Sequence, residues 1–259
     1  MSHKELEGKI AVVTGGTKGI GKAIADKLSL AGATVIVTAR TAAKDINPDH
    51  HFIQADLSVA ENIKHTAERM LGQFGHIDIL VNNMGGNNSP GGGYSVLTDE
   101  HWDQDLQLNL MASVRLDRAL LPHLIERKRG VIIHISSSSA LMPLWEATMS
   151  YSASKAALNA YSKALAAEVG SHDIRVITVS PGTNKTKSMM DFIEDLASKS
   201  QITADEMTGK LLDRLGGVPL GRMADPKETA DLVCFLASPR ASYITGTNYV
   251  IDGGNLPVV

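Results

Sequence analysis

The sequence contains a single cysteine, Cys234, so no internal disulfide can close, which fits a reducing compartment. No apolar run approaches the roughly 20 residues that a membrane-spanning helix needs. The N-terminal stretch "MSHKELEGK" is charged and lacks the apolar segment of a secretory signal. There is no basic excess: the formal charge is −3, which speaks against nucleic acid as a partner. Nine histidines are scattered without an H-E-x-x-H motif or paired Cys/His spacing, so no catalytic metal is expected, and His134 reads as a strand residue. No internal repeat, low-complexity tract or Pro/Ser-rich linker marks a boundary. An apolar content of 43% with 20% charged residues is that of a soluble chain with a sizeable core. A cytoplasmic protein made of one domain over residues 1–259 is the expectation.

Short β-rich runs alternate with longer helix-period runs. "KIAVVT", "TVIVTA", "HFIQAD", "IDILVN", "GVIIHIS", "IRVITVS" and "NYVIDG" are seven candidate strands. They read as near-continuous apolar runs, the pattern of a parallel sheet covered by helices on both faces. Between them, Ile20, Ala23, Ile24, Leu28 and Ala31 form a helical stripe that breaks at Gly32. Ser58 and Glu61 have capping-box spacing ahead of a second stripe from Val59 to Phe74, and Thr203 and Glu206 have it ahead of Met207, Leu211 and Leu212. A doubly wound α/β fold follows, with ligands at the carboxyl ends of the strands. Two stretches are longer than ordinary connections: the glycine-rich Met84–Glu100 and an insertion with amphipathic pieces, Pro181–Met223. Such lengths suit lids or binding walls.

The stretch "TGGTKGIG", Thr14–Gly21, joins the first strand to the first helix. Its glycines permit positive φ and close approach to the backbone, and the helix that opens near Gly19 offers free N–H groups to a pyrophosphate. The spacing is T-G-x-x-x-G-x-G and not G-x-G-x-x-G. Further motifs follow in order: "NNMG" (Asn82–Gly85) after the fourth strand, Asn109 in "LQLNLMA", "ISSSS" after the fifth strand, Tyr151 and Lys155 in "YSASK", "SPG" (Ser180–Gly182) and "DGG" (Asp252–Gly254). Spaced four apart, Tyr151 and Lys155 share one helix face.

This set, running from about residue 8 to 254, resembles the short-chain dehydrogenase/reductase family. The resemblance implies a seven-stranded Rossmann fold with a substrate-binding insertion at 183–222. It implies a ketone and a secondary alcohol interconverted by hydride transfer, with Tyr151 as general acid/base. Lys155 would anchor the nicotinamide ribose and, with the oxidised ring, favour the phenolate and lower the Tyr151 pKa. A serine would hold the substrate oxygen. Aligning Ala140 with the small residue usual three places on selects Ser137, whereas counting thirteen back from Tyr151 selects Ser138. Asn109 would bend its helix and hold a water linking Lys155 to solvent. The same resemblance implies a homotetramer or homodimer.

Cofactor contacts are implied at Gly15, Thr17, Lys18, Gly19, Ile20 and Gly21 in the first turn. Asp56, Leu57, Asn83 and Gly85 would follow, with Tyr151 and Lys155 on the ribose, and Pro181, Gly182, Asn184 and Thr186 around the nicotinamide and phosphates. At the end of the second strand an acidic residue would accept from a ribose 2′-hydroxyl, whereas a cation accommodates a 2′-phosphate. Ala39 holds the acidic position here, with Arg40 next and Lys18 before Gly19. The expected cofactor is therefore NADP(H), with NAD less favoured. Two departures from the family pattern stand out: Met84 replaces an alanine, and Asn184 stands where an apolar β-branched residue is usual, so only its backbone is expected to contact cofactor.

Leu144, Trp145, Met142, Met189, Met190 and Phe192 either wall an apolar substrate pocket or pack the insertion down; Tyr94 is open in the same way. A narrower alternative is reduction of 3-oxoacyl groups on an acidic carrier protein, hinted at by the basic Arg127, Lys128 and Arg129. An alternative of another class is a nucleotide-sensing protein that binds NADP without turnover.

Overall fold

Runs of four to eight residues rich in Val and Ile become strands, because branched side chains pack well on a pleated surface. The computed structural model describes residues 4–257; Met1–His3, part of the charged N-terminal stretch, lie outside it. The strands are β1 (Ile10–Thr14), β2 (Thr34–Ala39), β3 (His50–Gln54), β4 (Ile79–Asn82), β5 (Gly130–Ile135), β6 (Ile174–Pro181) and β7 (Asn248–Ile251). All pairs are parallel, in the order β3-β2-β1-β4-β5-β6-β7. Val12 at the centre of β1 aligns with Ile36 on one side and Leu80 on the other. The winding reverses between β1 and β4, so their carboxyl ends open onto the crevice where such sheets hold ligands.

The helices are α1 (Gly19–Leu30), α2 (Ala60–Phe74), α3 (Asp99–Leu106), α4 (Ala112–Arg127), α5 (Trp145–Val169), α6 (Lys187–Ser200), α7 (Ala204–Arg214) and α8 (Pro226–Ala237). One face of the sheet is covered by α1 and α8, where Ile24, Leu28, Val233 and Leu236 pack on Val13, Val37 and Val179. The other is covered by α2, α4 and α5, through Ile63, Met70, Leu116, Leu120 and Leu165 on Val12, Ile36 and Ile132. A helix follows every strand except β2, which runs on to β3 through residues 40–49, and β7, the last element among the described residues. Among the described residues no helix is long and apolar enough to cross a membrane.

Local detail departs from expectation at α2. Its N-cap position is Val59, with no side-chain cap, so the Ser58/Glu61 capping box does not form. Asp56 intervenes: its Oδ1 accepts from both Ser58 N (3.0 Å) and Ser58 Oγ (2.6 Å). A short-range side-chain turn has outcompeted the cap. The Thr203/Glu206 box does form, with Thr203 N donating to Glu206 Oε2 (2.9 Å) and Glu206 N to Thr203 Oγ1 (3.2 Å). In the long insertion, α6 and α7 have a small core of their own, Ile193, Leu212 and Met223, joined by Met189, Met190, Met207 and Leu211. Met189 and Met190 therefore pack the insertion down. The Met84–Glu100 stretch is irregular apart from a short 3-10 turn at Gly93–Ser95 and its last residues, which open α3.

Candidate active site

The turn after β1 is built on backbone that tolerates no side chain. Gly15 has φ +64°, and a Cβ at Gly21 would stand 2.3 Å from Gly15 O and 2.4 Å from Asn83 Nδ2. The first turn of α1 carries no side-chain cap: Lys18, at the N-cap, is extended and exposed. Its leading N–H groups and positive dipole end face the crevice, an arrangement suited to a pyrophosphate. Thr17 is buried at the turn and Ile20 is half-buried against the α1/α8 core. From the far side Thr186 closes in, its Cγ2 3.3 Å from where a Gly19 Cβ would be. A Gly21→Ala variant is expected to force this turn apart. An overpacked contact of this kind costs about 1–3 kcal/mol, so the Kd for NADPH, read by fluorescence titration, should rise roughly 10- to 100-fold.

The loop after β4 is stitched to that turn. Thr14 Oγ1 accepts from Asn83 N (3.0 Å) and Met84 N (2.9 Å), and Asn83 Nδ2 donates to Thr14 O (2.9 Å). The Asn83 amide nitrogen is thus engaged in shaping the turn. Asn82 is buried and donates through Nδ2 to Asp117 Oδ1 (2.7 Å); the other oxygen of Asp117 meets His134 Nε2 (2.9 Å) and Tyr161 Oη (2.9 Å). His134 is a buried strand residue, and its Nδ1 meets Ser162 Oγ at 3.0 Å. Burial, followed by the Asp117 carboxylate, holds the Tyr161 phenol neutral. This network joins β4, β5, α4 and α5 directly beneath the site. Sequence reasoning did not anticipate it, since its members are far apart in the chain.

Asn109 lies in a single π turn, Gln107–Met111, between α3 and α4. The widened turn suits a residue whose side chain bonds elsewhere. Asn109 is fully buried and grips Gly86 at both ends, accepting from Gly86 N (2.9 Å) and donating to Gly86 O (3.0 Å). A Cβ at Gly85 would stand 2.8 Å from Asn109 Oδ1 and 2.9 Å from Lys155 Nζ. "NNMG", Asn109 and Lys155, remote in sequence, therefore meet at one point.

Lys155 is 2% exposed; its Nζ donates to Ile135 O (2.9 Å) and lies 5.9 Å from the centroid of the Tyr151 ring. Burial pushes its pKa down to about 8. Three effects bear on the Tyr151 phenol. Burial raises its pKa, a hydrogen bond with Ser137 opposes that shift, and the Asp105 carboxylate adds to it. Withdrawal from water is the largest of the three. The same hydrogen bond brings Ser137, of the four serines in the row, to the Tyr151 hydroxyl. Ser137 Oγ also accepts from Ser139 N at 3.1 Å, and Ser138 opens the short 3-10 turn that follows.

At the edges of the crevice, Arg40 is exposed just past β2 and its carbonyl accepts from Gln54 Nε2 (2.9 Å). Leu57 is buried among the side chains under α2, leaving its backbone for any ligand contact. Pro181 ends β6 and Gly182 N donates to Ile251 O (2.9 Å). Asn184 is buried, its Nδ2 donating to Gly182 O (3.0 Å) and its Oδ1 accepting from Thr229 Oγ1 (3.4 Å). Thr186 caps α6, accepting from Met189 N (3.2 Å). Trp145 and Phe192 stand 62% and 50% exposed. Arg127 and Arg129 lie 3.6 Å from Asp78, at the amino end of β5. They are thus at the end of the sheet opposite to Tyr151 and do not line the site of their own chain.

A half-buried phenol and serine with a buried lysine, at the carboxyl ends of a parallel sheet and beside a glycine turn built for phosphate, form the site of a nucleotide-dependent oxidoreductase. The model of the family described as Enoyl-(Acyl carrier protein) reductase matches residues 15–255, and the chain belongs to that family, within the short-chain dehydrogenases/reductases. Similar curated proteins include the 3-oxoacyl-acyl-carrier-protein reductase of Vibrio cholerae, 36% identical over 258 residues, covering 96% of this chain and 98% of that protein. Sorbitol-6-phosphate 2-dehydrogenase of Klebsiella pneumoniae is 33% identical over 261 residues, 96% of each. Among solved structures, L-sorbose reductase from Gluconobacter frateurii, complexed with NADPH and L-sorbose, superposes with a TM-score of 0.92 at 32% identity, covering 99% of this chain and 100% of that one.

Proposed function

We propose that the chain is an NADP(H)-dependent oxidoreductase that interconverts a ketone and a secondary alcohol. The observation that carries this reading is the meeting of Tyr151, Ser137 and Lys155 beside the glycine turn. The fit of the dinucleotide rests on that turn, where Gly15, Gly19 and Gly21 leave a cradle that side chains would fill. Bound there, the nicotinamide supplies or accepts the hydride.

The chain's own residues do the rest. Tyr151 donates the proton to the carbonyl oxygen, which a raised pKa suits: the phenol is neutral and ready to donate. Ser137, hydrogen-bonded to the phenol, orients the same oxygen and stabilises the charge that develops on it. Lys155 holds the ribose and, still largely protonated near neutrality, favours the phenolate left behind. Asn109 keeps the loop after β4 against Lys155 through Gly86. The backbone at Asp56, Leu57, Pro181, Gly182 and Asn184 and the side chain of Thr186 line the remaining cofactor path. Residues 183–222 form the substrate wall, with Trp145 and Phe192 as exposed apolar contributors at its rim.

Preference for NADP(H) rests on Arg40 and Lys18, both exposed, with Ala39 in the acidic position and the Asp56 carboxylate engaged by Ser58. Arg40→Asp should lower the ratio of kcat/KM for NADP over NAD by about 10- to 100-fold. An unchanged ratio would remove the argument. The substrate is tested with a panel of acetoacetyl thioester, L-sorbose, cyclic diketones and ketosteroids, following loss of NADPH absorbance. A chain that binds NADPH and oxidises it with none of them would be the nucleotide sensor.

A further inference from the structure

The "DGG" motif of Asp252, Gly253 and Gly254, with the asparagine that follows it, has no part in the mechanism above. It lies against the segment through which the insertion returns to the sheet. The two roots of the insertion are joined: Ala224 N donates to Thr183 O (3.0 Å) and Lys185 N to Ala224 O (2.8 Å). Between α7 and that joint run residues 215–223, where Gly216 and Gly217 have φ of +86° and +85°. Two adjacent glycines in this region of backbone make a compliant hinge. Asn255 clasps it. The side-chain nitrogen Nδ2 donates both to Leu215 O (2.7 Å) and to Gly217 O (2.6 Å), the carbonyls on either side of Gly216. Asn255 is itself held in place, because Asp252 Oδ1 accepts from Gly254 N (2.9 Å) and Oδ2 from Leu256 N (2.8 Å). Gly253 O accepts from Leu220 N (3.2 Å), and a Cβ at Gly253 would stand 2.9 Å from Val218 Cγ1. On the other side of the hinge, Arg214 Nη2 lies 3.8 Å from Glu146 Oε1, in the first turn of α5 beside Trp145. Glu146 O accepts from Gly92 N (2.9 Å), so the glycine-rich loop, α5 and the end of α7 meet at one corner of the rim.

We propose that Asn255 is a positioning residue for substrate capture: its amide clasps the hinge after α7 and so holds the α6–α7 wall, through Arg214, against the first turn of α5. This rests on the reading of residues 183–222 as the substrate wall. An amide NH2 has two protons to give, and both distances are those of full hydrogen bonds. The core that α6 and α7 share makes them one body, and such a body moves where its connecting backbone is compliant, at Gly216 and Gly217. Arg214 is 65% exposed in its pair with Glu146, and a pair so open to water is weak. The half-buried clasp is what fixes the hinge. The same short segment is tied to the cofactor path. Gly182 N donates to Ile251 O (2.9 Å), and a Cβ at Gly182 would stand 2.8 Å from Asp252 Cα. Those contacts are made by backbone and do not involve the Asn255 side chain.

The test compares the wild type with Asn255→Asp, whose carboxylate has no proton to give and repels both carbonyls. Asn255→Ala, which removes the donor without adding charge, serves if the first variant does not fold. Hydrogen–deuterium exchange, which needs no substrate, should speed up about tenfold in α6, α7 and residues 215–217 when two neutral hydrogen bonds are lost, with the sheet unchanged. KM for whichever of acetoacetyl thioester and L-sorbose the wild type reduces should rise about tenfold. At the same time kcat at saturation and the Kd for NADPH should stay within about twofold, because the wall binds and does not react. Faster exchange across the whole sheet together with a fall in kcat is what a merely structural Asn255 would give, and it overturns the proposal. So does unchanged exchange in α6 and α7. The underlying reading fails in a different way: faster exchange confined to α6 and α7 with an unmoved KM means that Asn255 holds the hinge of helices that do not wall the substrate.

Discussion

Tyr151→Phe is expected to lower kcat for carbonyl reduction by about 10²- to 10⁴-fold, the range that a positioned acid contributes, with NADPH affinity almost unchanged. The substitution removes one oxygen and keeps the ring, which lies half-buried on α5 with Lys155 Nζ 5.9 Å from its centroid. Nothing in the glycine turn or in the loop after β4 leans on that hydroxyl, so the cradle for the cofactor stays intact. Hydride arrival at the carbonyl carbon would instead leave an alkoxide with only Ser137 to stabilise it, in a place where charge is poorly solvated. Steady-state loss of NADPH absorbance and fluorescence titration of NADPH read the two halves separately. A kcat within a few-fold of wild type would contradict the assignment of the acid, and a large loss of affinity would mean that the ring, not the proton, matters.

Lys155→Met should act on activity and stability in opposite directions. The amine is 2% exposed and its pKa falls from 10.5 to about 8, with burial as the cause. A folded-state value below the unfolded one means that the unfolded chain holds a proton the native chain lacks between about pH 8 and 10.5. Stability therefore rises with pH across that window, and below it the full penalty for a buried ammonium is present. A depression of that size corresponds to about 3 kcal/mol. Loss of the bond to Ile135 O offsets part of this, so the nucleotide-free variant should gain on the order of 2 kcal/mol at pH 7, a rise in Tm of roughly 5 °C. Turnover should fall at least about tenfold as the cation beside the phenolate disappears. Thermal unfolding of both proteins from pH 7 to 10 checks the claim. The wild type should close the gap as pH rises; a variant less stable at pH 7, or a constant gap, would show that burial does not strain this lysine.

Most of the scaffold was legible in the sequence because the signals are local. Seven apolar runs gave seven parallel strands within a residue or two at either end, since strands buried on both faces have no polar alternation to confuse the period. The insertion was recognised by length, but the choice between pocket wall and packing for Met189 and Met190 required knowing that Ile193, Leu212 and Met223 lie beneath them. At Ser58 a local rule failed because a competing one, the turn at Asp56, lay two residues away. Asp105 left a faint trace, an acid four residues ahead of Asn109 on the same helix face. Nothing in the linear order showed that its buried Oδ2 would accept from Ser89 Oγ (2.7 Å) and Ser150 Oγ (2.6 Å).

The chain's own sequence thus determined the winding of the sheet, the glycine turn, and the placing of a phenol and an amine one helical turn apart, since each depends on residues near one another. Tertiary structure alone decided which serine meets the phenol and that Lys155 and Asn109 face each other across Gly85. Those outcomes depend on distance and burial between segments 14 to about 70 residues apart in the chain, and withdrawal from water is a property of the assembled interior, not of any segment.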